Sequence, residues 1–569
     1  MRQIFIILAT LTALVSSARA AGADSFSKQI NIDPIRYMSL QDKQTIKTFD
    51  TYAREAMFHI TGRSTLDGES ATFTVLDMVF NPRAYAERNL IYIRNKPFRA
   101  DFGSLSFIDA AEKQRILKEG QISLKFWFDP HTQQAMEKQM ASATVKAKAI
   151  QEIHDQALAL SQILDYPGFR GTLVTQAIVP PLDGDSANAR PWQSLPDASM
   201  KLVQNPQVMS GAYAGSIEKM ITAVQGLNTA WVAKDAASVN QQAINLAAAA
   251  ESVNPTIYPS KTKRKFEVAY NALSRLTWPG AALYFLAFVF FLLAWQTELK
   301  WMYVTAWIAV VLAWLVHVGA IAIRWWLVQK NVGNWFEAIP IKNQFESVMF
   351  SAWFGTVVAL VLETGLINRV FKRLAGWDFR KLHGQGIFGA AGAGIGMLSL
   401  VALFAVPFVT GQDIIGAGIR QNAGILMTYW LYVHVTLVTA SYALIGMTFV
   451  IGTWYAIQYL ANKDAAILQT LDAANLTMLQ LAFWILGIGI ITGALWADVS
   501  WGRPWAWDPK ETFALITWIV YLIIVHIRIV TSGTNRALIT SVLSIVGFGV
   551  MLFNWIGVNF FLVGLHSYA

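Results

Sequence analysis

Long apolar runs follow one another through the second half of the chain, and they constrain the fold more than any other feature. From about Trp278 onward, they alternate with short polar stretches, and each approaches the ~20 residues that a transmembrane helix needs. We predict eight spans, at residues 278–296, 302–323, 347–367, 386–409, 426–457, 478–497, 512–530 and 538–563. This pattern predicts a polytopic membrane bundle that is mainly α-helical.

The residues before this region differ in composition. No long apolar run interrupts residues 21–275, where helical stretches at residues 133–164 and 212–253 are mixed with extended segments at residues 90–93 and 122–128. We therefore predict three parts: a signal peptide at residues 1–20, a mixed α/β domain at residues 21–275, and a membrane domain at residues 276–569. The sequence assigns no role to the mixed domain.

The first twenty residues have the order of a secretory signal. Arg2 precedes an apolar stretch from Ile4 to Val15, and small residues follow up to Ala20. The apolar stretch is short for a span of ~20 residues, so we favour cleavage over an uncleaved anchor. In either case we expect residues from Ala21 onward to lie outside the cytoplasm.

Basic residues support the orientation that follows from an exported N-terminal part. Eight spans place the C-terminus on the same outer side, and the cytoplasmic loops should then be rich in Lys and Arg. The loops after the third and seventh spans fit, with Arg369, Lys372, Arg373, Arg380, Lys381, Arg528 and Arg536. The loop after the second span does not fit: it places Arg324, Lys330 and Lys342 outside, partly offset by Glu337 and Glu346.

The formal net charge of +9 and the absence of cysteine restrict the function classes. Basic loops that orient membrane helices account for part of this charge, so a nucleic-acid partner is not indicated. A chain without cysteine has neither a thiol redox site nor a CxxCH motif of its own.

A tryptophan-rich stretch, WADVSWGRPWAWDPKE, joins the sixth and seventh spans on the predicted outer side. Gly502, Pro504 and Pro509 break any helical periodicity in it, so we predict that it is not helical. Single tryptophans are common in aromatic belts at membrane surfaces. Four within twelve residues, beside charged side chains, favour instead a rigid aromatic platform for a flat apolar macrocycle with anionic propionates. The residues concerned are Trp496, Trp501, Arg503, Trp505, Trp507, Asp508 and Lys510.

The segment WGRPWAWDPKETFALITW resembles the signature of haem-handling membrane proteins of the CcsA (ResC) type. Further motifs continue the resemblance through the membrane domain: YWLYVHVTLVTASYAL around His434, VYLIIVHIR with His526, and GVNFFLVGLHSY around His566. The resemblance implies a cytochrome c synthase component that binds haem b. It would promote thioether bonds between the haem vinyl groups and the CxxCH thiols of apocytochrome c.

The resemblance also implies roles for individual residues. His434 and His566 are the expected axial ligands of one haem iron at the outer face, beside Trp496, Trp501, Arg503, Trp505 and Trp507. A continuous helix would place His526 ~22 Å from Glu511 toward the cytoplasm, too far to share the outer haem plane. The resemblance implies that His526 belongs to a second, deeper haem site. Asp508 and Glu511 are candidates for proton transfer, although carboxylates in such a turn are more often structural.

The implied partners are a ResB-like (CcsB-like) membrane subunit, apocytochrome c and a thiol-reducing thioredoxin-like protein, at a bacterial cytoplasmic membrane. The N-terminal part lacks the four spans of a ResB-like half, so we expect a separate subunit to supply the partner of His526. His317 is an alternative partner. It lies only ~10 Å along its helix from Arg324, near the outer end of the second span, and core hydrogen bonding is the favoured role for it.

Other functions are compatible with the same motifs. A haem exporter or chaperone without synthase activity is opposed by the length of the chain and the terminal GLHSY. A larger lyase of the CcmF type would need more spans. A membrane dihaem electron-transfer protein would need matched histidine pairs at two depths, whereas the chain supplies one matched pair.

Overall fold

A computed structural model of the chain describes residues 25–42, 45–103, 105, 107–140, 144–165, 175–182, 191–204, 211–332, 339–341, 343–365, 384–410, 418, 428–461, 465–531, 535–558 and 562. The predicted signal peptide and His566 lie outside these residues. The chain forms two compact units, one up to Asn271 and the other from Ala272 onward.

The N-terminal unit consists of short helices and three two-stranded antiparallel ladders, β1–β2, β3–β4 and β5–β6. The strands are β1 Ser39–Asp42, β2 Thr45–Thr48, β3 Thr65–Leu66, β4 Glu69–Ser70, β5 Ile91–Tyr92 and β6 Gln121–Ile122. The helices are α1 Ser25–Gln29, α2 Asp33–Arg36, α3 Phe49–Thr61, α4 Ala71–Phe80, α5 Lys96–Gly103, α6 Ala110–Glu119, α7 Leu124–Trp127, α8 Pro130–Met140, α9 Thr144–Ile163, α10 Leu195–Gln204, α11 Ala212–Val232, α12 Ala236–Val253 and α13 Lys261–Ala272.

One extended segment predicted for this unit is largely helical. Residues 122–128 were expected to form a strand, but β6 ends at Ile122 and the helical turn α7 follows. The hydroxyl of Ser123 accepts a hydrogen bond from the backbone N–H of Phe126 at 3.1 Å. This N-cap starts a helix within an apolar sequence that also suits a strand.

Aromatic residues form the centre of the N-terminal unit. Trp231 is fully buried, and the rings of Phe26, Phe73 and Phe80 lie within 5.4–5.7 Å of its own. Its indole N–H donates to Asp77 at 2.8 Å, and the hydroxyl of Tyr85 donates to the other carboxylate oxygen at 2.7 Å. The buried carboxylate is therefore satisfied, as a charge in an apolar core must be.

A buried carboxylate also ties α13 to the junction between β2 and α3. Glu267 accepts hydrogen bonds from the backbone N–H of Thr48 at 2.7 Å, from the Thr48 hydroxyl at 2.9 Å and from the Thr51 hydroxyl. Burial raises the pKa of Glu267 above its usual range, whereas the hydrogen bonds from Thr51 and Thr48 oppose this rise.

The second unit is a bundle of long apolar helices. Its elements are α14 Thr277–Thr297, α15 Lys300–Val332, α16 Gln344–Thr364, α17 Ile387–Thr410, α18 Tyr429–Leu460, α19 Ala465–Trp501, α20 Pro509–Val530 and α21 Asn535–Leu552, which continues into a π-helical turn, Phe553–Gly557. Among the described residues, seven helices are long and apolar enough to cross a membrane, and α17 contributes a shorter apolar segment at Ile387–Leu403. The predicted mainly α-helical membrane bundle is confirmed.

The sixth predicted span is shorter than the helix that contains it. The sixth span was predicted at residues 478–497, but α19 begins at Ala465 and continues to Trp501. The first part of the tryptophan-rich stretch is therefore helical, contrary to our prediction. The helix ends at Gly502, whose φ of +72° suits glycine and whose N–H donates to the carbonyl of Asp498 at 2.8 Å.

Burial explains one of the basic residues that did not fit the predicted orientation. Arg324 and Glu346 are only 3% and 2% exposed, and their side chains meet at 2.6 Å. Arg324 also donates to the carbonyl of Gly418 at 2.9 Å. A buried and neutralised arginine differs from the free loop charges on which the positive-inside bias depends. Lys342 lies outside the described residues.

The buried Glu267 gives a prediction about pH. Because its folded pKa is raised above its unfolded value, its contribution to stability is full below the unfolded pKa and is lost as pH rises through the folded pKa. Glu267→Gln cannot ionise and should abolish this dependence. Glu267→Ala leaves the Thr48 N–H unpaired and should cost roughly 1–3 kcal/mol at every pH.

Hydrogen exchange of residues 45–61 in the full-length protein, measured from acidic to neutral pH, checks this prediction. Equal pH slopes in the wild type and in Glu267→Gln would contradict it.

Candidate functional site

The end of α19 and the start of α20 frame a compact aromatic group. Trp496 is buried at 2% exposure, and its ring is nearly parallel to that of His434, with centroids 6.0 Å apart. Trp501 packs edge-on against Trp496 at 4.7 Å. One predicted ligand and two predicted platform residues thus form one cluster.

The other predicted platform residues lie in the tryptophan loop, residues 502–508, between α19 and α20. Trp505 and Trp507 lie perpendicular to each other with ring centroids 5.7 Å apart. Trp507 is 70% exposed and has a φ of +57°, a strained conformation for a large side chain that costs of order 1–3 kcal/mol. Arg503 is exposed in the same loop. The exposed ring is therefore not fixed by packing, and its role in binding stays a prediction.

The two predicted proton-transfer residues cap α20. The Asp508 side chain accepts from backbone N–H groups of the first turn, among them that of Lys510 at 3.0 Å. Glu511 accepts from the N–H groups of Ala506 at 2.8 Å and Asp508 at 3.2 Å. This capping box fixes the angle between the tryptophan loop and the helix. Both carboxylates therefore have a structural role here, and their role in proton transfer stays a prediction.

His434 lies in the first turns of α18 and faces α19. Its Nδ1 is 2.8 Å from the carbonyl oxygen of Gly489. A carbonyl oxygen can only accept, so Nδ1 carries the proton and the lone pair of the neutral ring is on Nε2. A hydrogen bond of this kind orients metal-binding histidines and raises their basicity.

The close approach of His434 to α19 depends on Gly493. A Cβ atom at this position would lie 2.6 Å from Cε1 and 2.7 Å from Nδ1 of His434. Only a residue without a side chain leaves room for the imidazole between the two helices. The sequence motifs did not point to this residue.

A lysine links the start of α20 to the end of α21. The ammonium group of Lys510 donates to the carbonyls of Asn554 and Trp555, both at 2.9 Å, within the π-helical turn. The Asn554 side chain donates in turn to the hydroxyl of Tyr442 on α18 at 2.9 Å. Sequence reasoning missed this contact because its partners are 44 and 45 residues apart.

His526 and His317 lie in contrasting environments. The side chain of His526 is exposed on the surface of α20, and its Nδ1 is 2.8 Å from the carbonyl oxygen of Leu522 in the same helix. His317 is buried at 1% exposure, and its Nδ1 is 3.2 Å from the hydroxyl of Tyr284. The core role favoured for His317 agrees with this contact.

Comparison with known proteins places these residues in one family. A family model described as cytochrome C assembly protein matches residues 341–566. The cytochrome c biogenesis protein CcsA of Guillardia theta is 34% identical over 271 residues, which cover 42% of this chain and 79% of that protein. This chain belongs to the CcsA family of cytochrome c biogenesis proteins.

The CcsA-like region covers the site, whereas another relative extends further. CcsA of Chlamydomonas reinhardtii is 33% identical over 239 residues, which cover 40% of this chain and 61% of that protein. Protein NrfI of Wolinella succinogenes is 25% identical over 547 residues, 92% of this chain. The chain spans about half the length of NrfI, 53%.

Within this CcsA-family bundle, the structure brings some predicted site residues together and separates others. His434, Trp496 and Trp501 form one cluster, and the tryptophan loop adjoins it in sequence. His526 stands apart, ~22 Å along the continuous helix α20 from Glu511. His566 lies outside the described residues, so its pairing with His434 stays a prediction. Among the described residues, no group of three or more His, Asp and Glu could hold a metal ion.

The contact between Gly493 and His434 gives a prediction about maturation. Gly493→Ala should displace the imidazole and break its hydrogen bond to Gly489, and c-type cytochrome maturation in cells should fall at least tenfold, about 1.4 kcal/mol of lost positioning. Gly549→Ala on α21 is the matched control, because nothing lies within 4 Å of its added Cβ. Equal maturation by the two variants would contradict the assigned role of Gly493.

Proposed function

We propose that this protein holds haem b at the outer face of a bacterial cytoplasmic membrane and promotes its thioether attachment to the CxxCH motif of apocytochrome c. Membership of the CcsA family supports the pathway. The observation that carries the proposal furthest is the 2.8 Å contact between His434 Nδ1 and the carbonyl oxygen of Gly489. Because the carbonyl can only accept, this contact assigns the proton to Nδ1 and the lone pair that an iron ligand needs to Nε2.

The site residues have complementary parts in this proposal. His434 and His566 provide the two axial bonds to iron. The exposed ring of Trp507 offers an aromatic surface to the porphyrin, and Arg503 offers a charge partner to a propionate. Buried Trp496 stacks against the His434 ring, and half-buried Trp501 packs on Trp496 in turn.

The reaction itself needs positioning more than chemical assistance. The cysteine S–H adds across a haem vinyl C=C: a C–S bond forms, and the thiol proton ends on the second vinyl carbon. Holding the vinyl group beside the thiol makes this addition effectively intramolecular. The thiols must be reduced for this addition, which accounts for a thioredoxin-like partner.

The surroundings of His526 support a deeper site that is completed by a second polypeptide. The face of α20 that carries His526 is exposed, and apolar side chains extend along it: Ile516 at 38%, Ile519 at 41%, Ile523 at 53% and Ile529 at 78%. A histidine on such a face is expensive in lipid unless a partner covers it. A ResB-like subunit with its own histidine meets this need.

One prediction of the proposed function concerns the outer haem site. His434→Ala or His566→Ala removes one axial bond, so the six-coordinate low-spin spectrum of the purified protein should become five-coordinate or disappear, and cytochrome c maturation should stop. Exposed His131 in the N-terminal unit provides the control variant His131→Ala. Absorption spectra that stay low-spin in both site variants would overturn the ligand assignment.

Another prediction of the proposed function concerns the supply of haem to the outer site. His526→Ala should lower the haem content of the protein as purified from cells, while haem added to the purified protein still binds at His434 and His566. His317→Ala should have a much smaller effect because its imidazole is fixed in the core by Tyr284. The assignment fails if His317→Ala reproduces the His526→Ala defect in a preparation without a ResB-like subunit.

A further inference from the structure

We propose that Lys510 is a positioning residue that holds the π-helical end of α21 against the first turn of α20 and so fixes the start of the segment that carries His566. This inference rests on the proposed function, in which His566 is a haem ligand. Lys510 touches neither the haem nor the substrate in this proposal. It acts on the geometry of the second axial ligand.

The position of Lys510 in its helix is unfavourable on local grounds. It follows Pro509 in the first turn of α20, where the positive end of the helix macrodipole favours acidic side chains. A lysine in a membrane helix also needs a specific polar partner. A lysine that opposes the macrodipole and finds its polar partners only in a distant segment marks a place where another requirement outweighs local stability.

The contacts of Lys510 show what that requirement is. Its ammonium donates to two successive carbonyls, of Asn554 and Trp555, at 2.9 Å each. These carbonyls belong to the turn Phe553–Gly557, where the helix widens to π geometry and its regular hydrogen-bond ladder is interrupted. Two charge-assisted hydrogen bonds to one turn hold it more firmly than a single neutral bond does.

Neighbouring contacts fix the same turn to two helices. Phe553 packs on Phe513 of α20 with ring centroids 5.0 Å apart, and Trp555 packs on Tyr442 of α18 at 5.1 Å. Asn554 is 1% exposed and donates to the hydroxyl of Tyr442. Two helices therefore contact this turn: α18, which carries His434, and α20, which follows the tryptophan loop.

The turn lies a few residues before His566 in the sequence. Asn554 and Trp555 come twelve and eleven residues before it. Lys510 is itself joined to the tryptophan loop through the capping box of Asp508 and Glu511. A shift of the π-helical turn relative to α20 would change the point from which the second ligand reaches the iron.

The test uses the full-length, haem-loaded protein and the variant Lys510→Met, which keeps the length of the side chain and removes its donors. We expect loss of the low-spin haem signal to a five-coordinate form that still depends on His434. Added imidazole should restore the low-spin spectrum by occupying the vacant axial position. Lys510→Arg should retain most of the low-spin signal, since guanidinium can donate to the same two carbonyls.

Lys300→Met is the matched control, because Lys300 is an exposed lysine in the first turn of another membrane helix, α15. It should leave the spectrum unchanged. An unchanged spectrum in Lys510→Met overturns the inference. Loss of haem that imidazole does not restore, together with lower thermal stability, also overturns it, because Lys510 would then serve only the fold.

His566→Ala separates this inference from the proposed function. If His566→Ala changes the spectrum and Lys510→Met does not, the positioning role alone is wrong. If His566→Ala leaves the spectrum low-spin, the proposed function fails, and the role of Lys510 in positioning that ligand is rejected with it.

Discussion

A bilayer interior offers no water to backbone N–H and C=O groups, and this constraint governs the second unit of the chain. Continuous helices satisfy it along most of their length. Two interruptions among the described residues lie next to the candidate site: the tryptophan loop and the π-helical turn of residues 553–557. The segment DPKE serves both. Asp508 accepts from N–H groups in the first turn of α20, Glu511 accepts from the loop N–H groups of Ala506 and Asp508, and Lys510 donates to carbonyls of the turn. The helical ladder is thus interrupted next to the candidate site without leaving these polar groups unpaired.

Close helix packing then determines the chemistry of His434. Gly489 and Gly493 let α18 and α19 approach until the imidazole meets a backbone carbonyl, that of Gly489, which also accepts from the hydroxyl of Thr492 at 2.9 Å. The tautomer of the ring is therefore set by the main chain of a neighbouring helix. In the proposed function, this contact turns a membrane histidine into an iron ligand of fixed direction.

The sequence predicted what depends on local composition and motifs, and it failed where tertiary contacts decide. Apolar runs identified the membrane helices, and the tryptophan-rich motif identified the family. The end of α19 was a local misreading: we took the whole tryptophan-rich stretch as non-helical, whereas the helix continues to Trp501 and ends at Gly502. We also misread Arg324 as a loop charge, since its partner Glu346 lies on another helix. Lys510 looked like an ordinary charge in a turn because its carbonyl partners are distant in sequence. The role of the N-terminal unit is not encoded in any motif that we recognise.

The most direct test of the account is covalent haem attachment in a strain that lacks its own cytochrome c maturation genes and produces apocytochrome c with a ResB-like subunit. We predict that haem becomes covalently bound to the CxxCH motif, and resists acid extraction, only when this chain is also present. The His434→Ala variant should not support the reaction. The account would be contradicted if the chain delivers haem to the outer side while the apocytochrome gains no thioether bond, because the protein would then be an exporter and not a synthase.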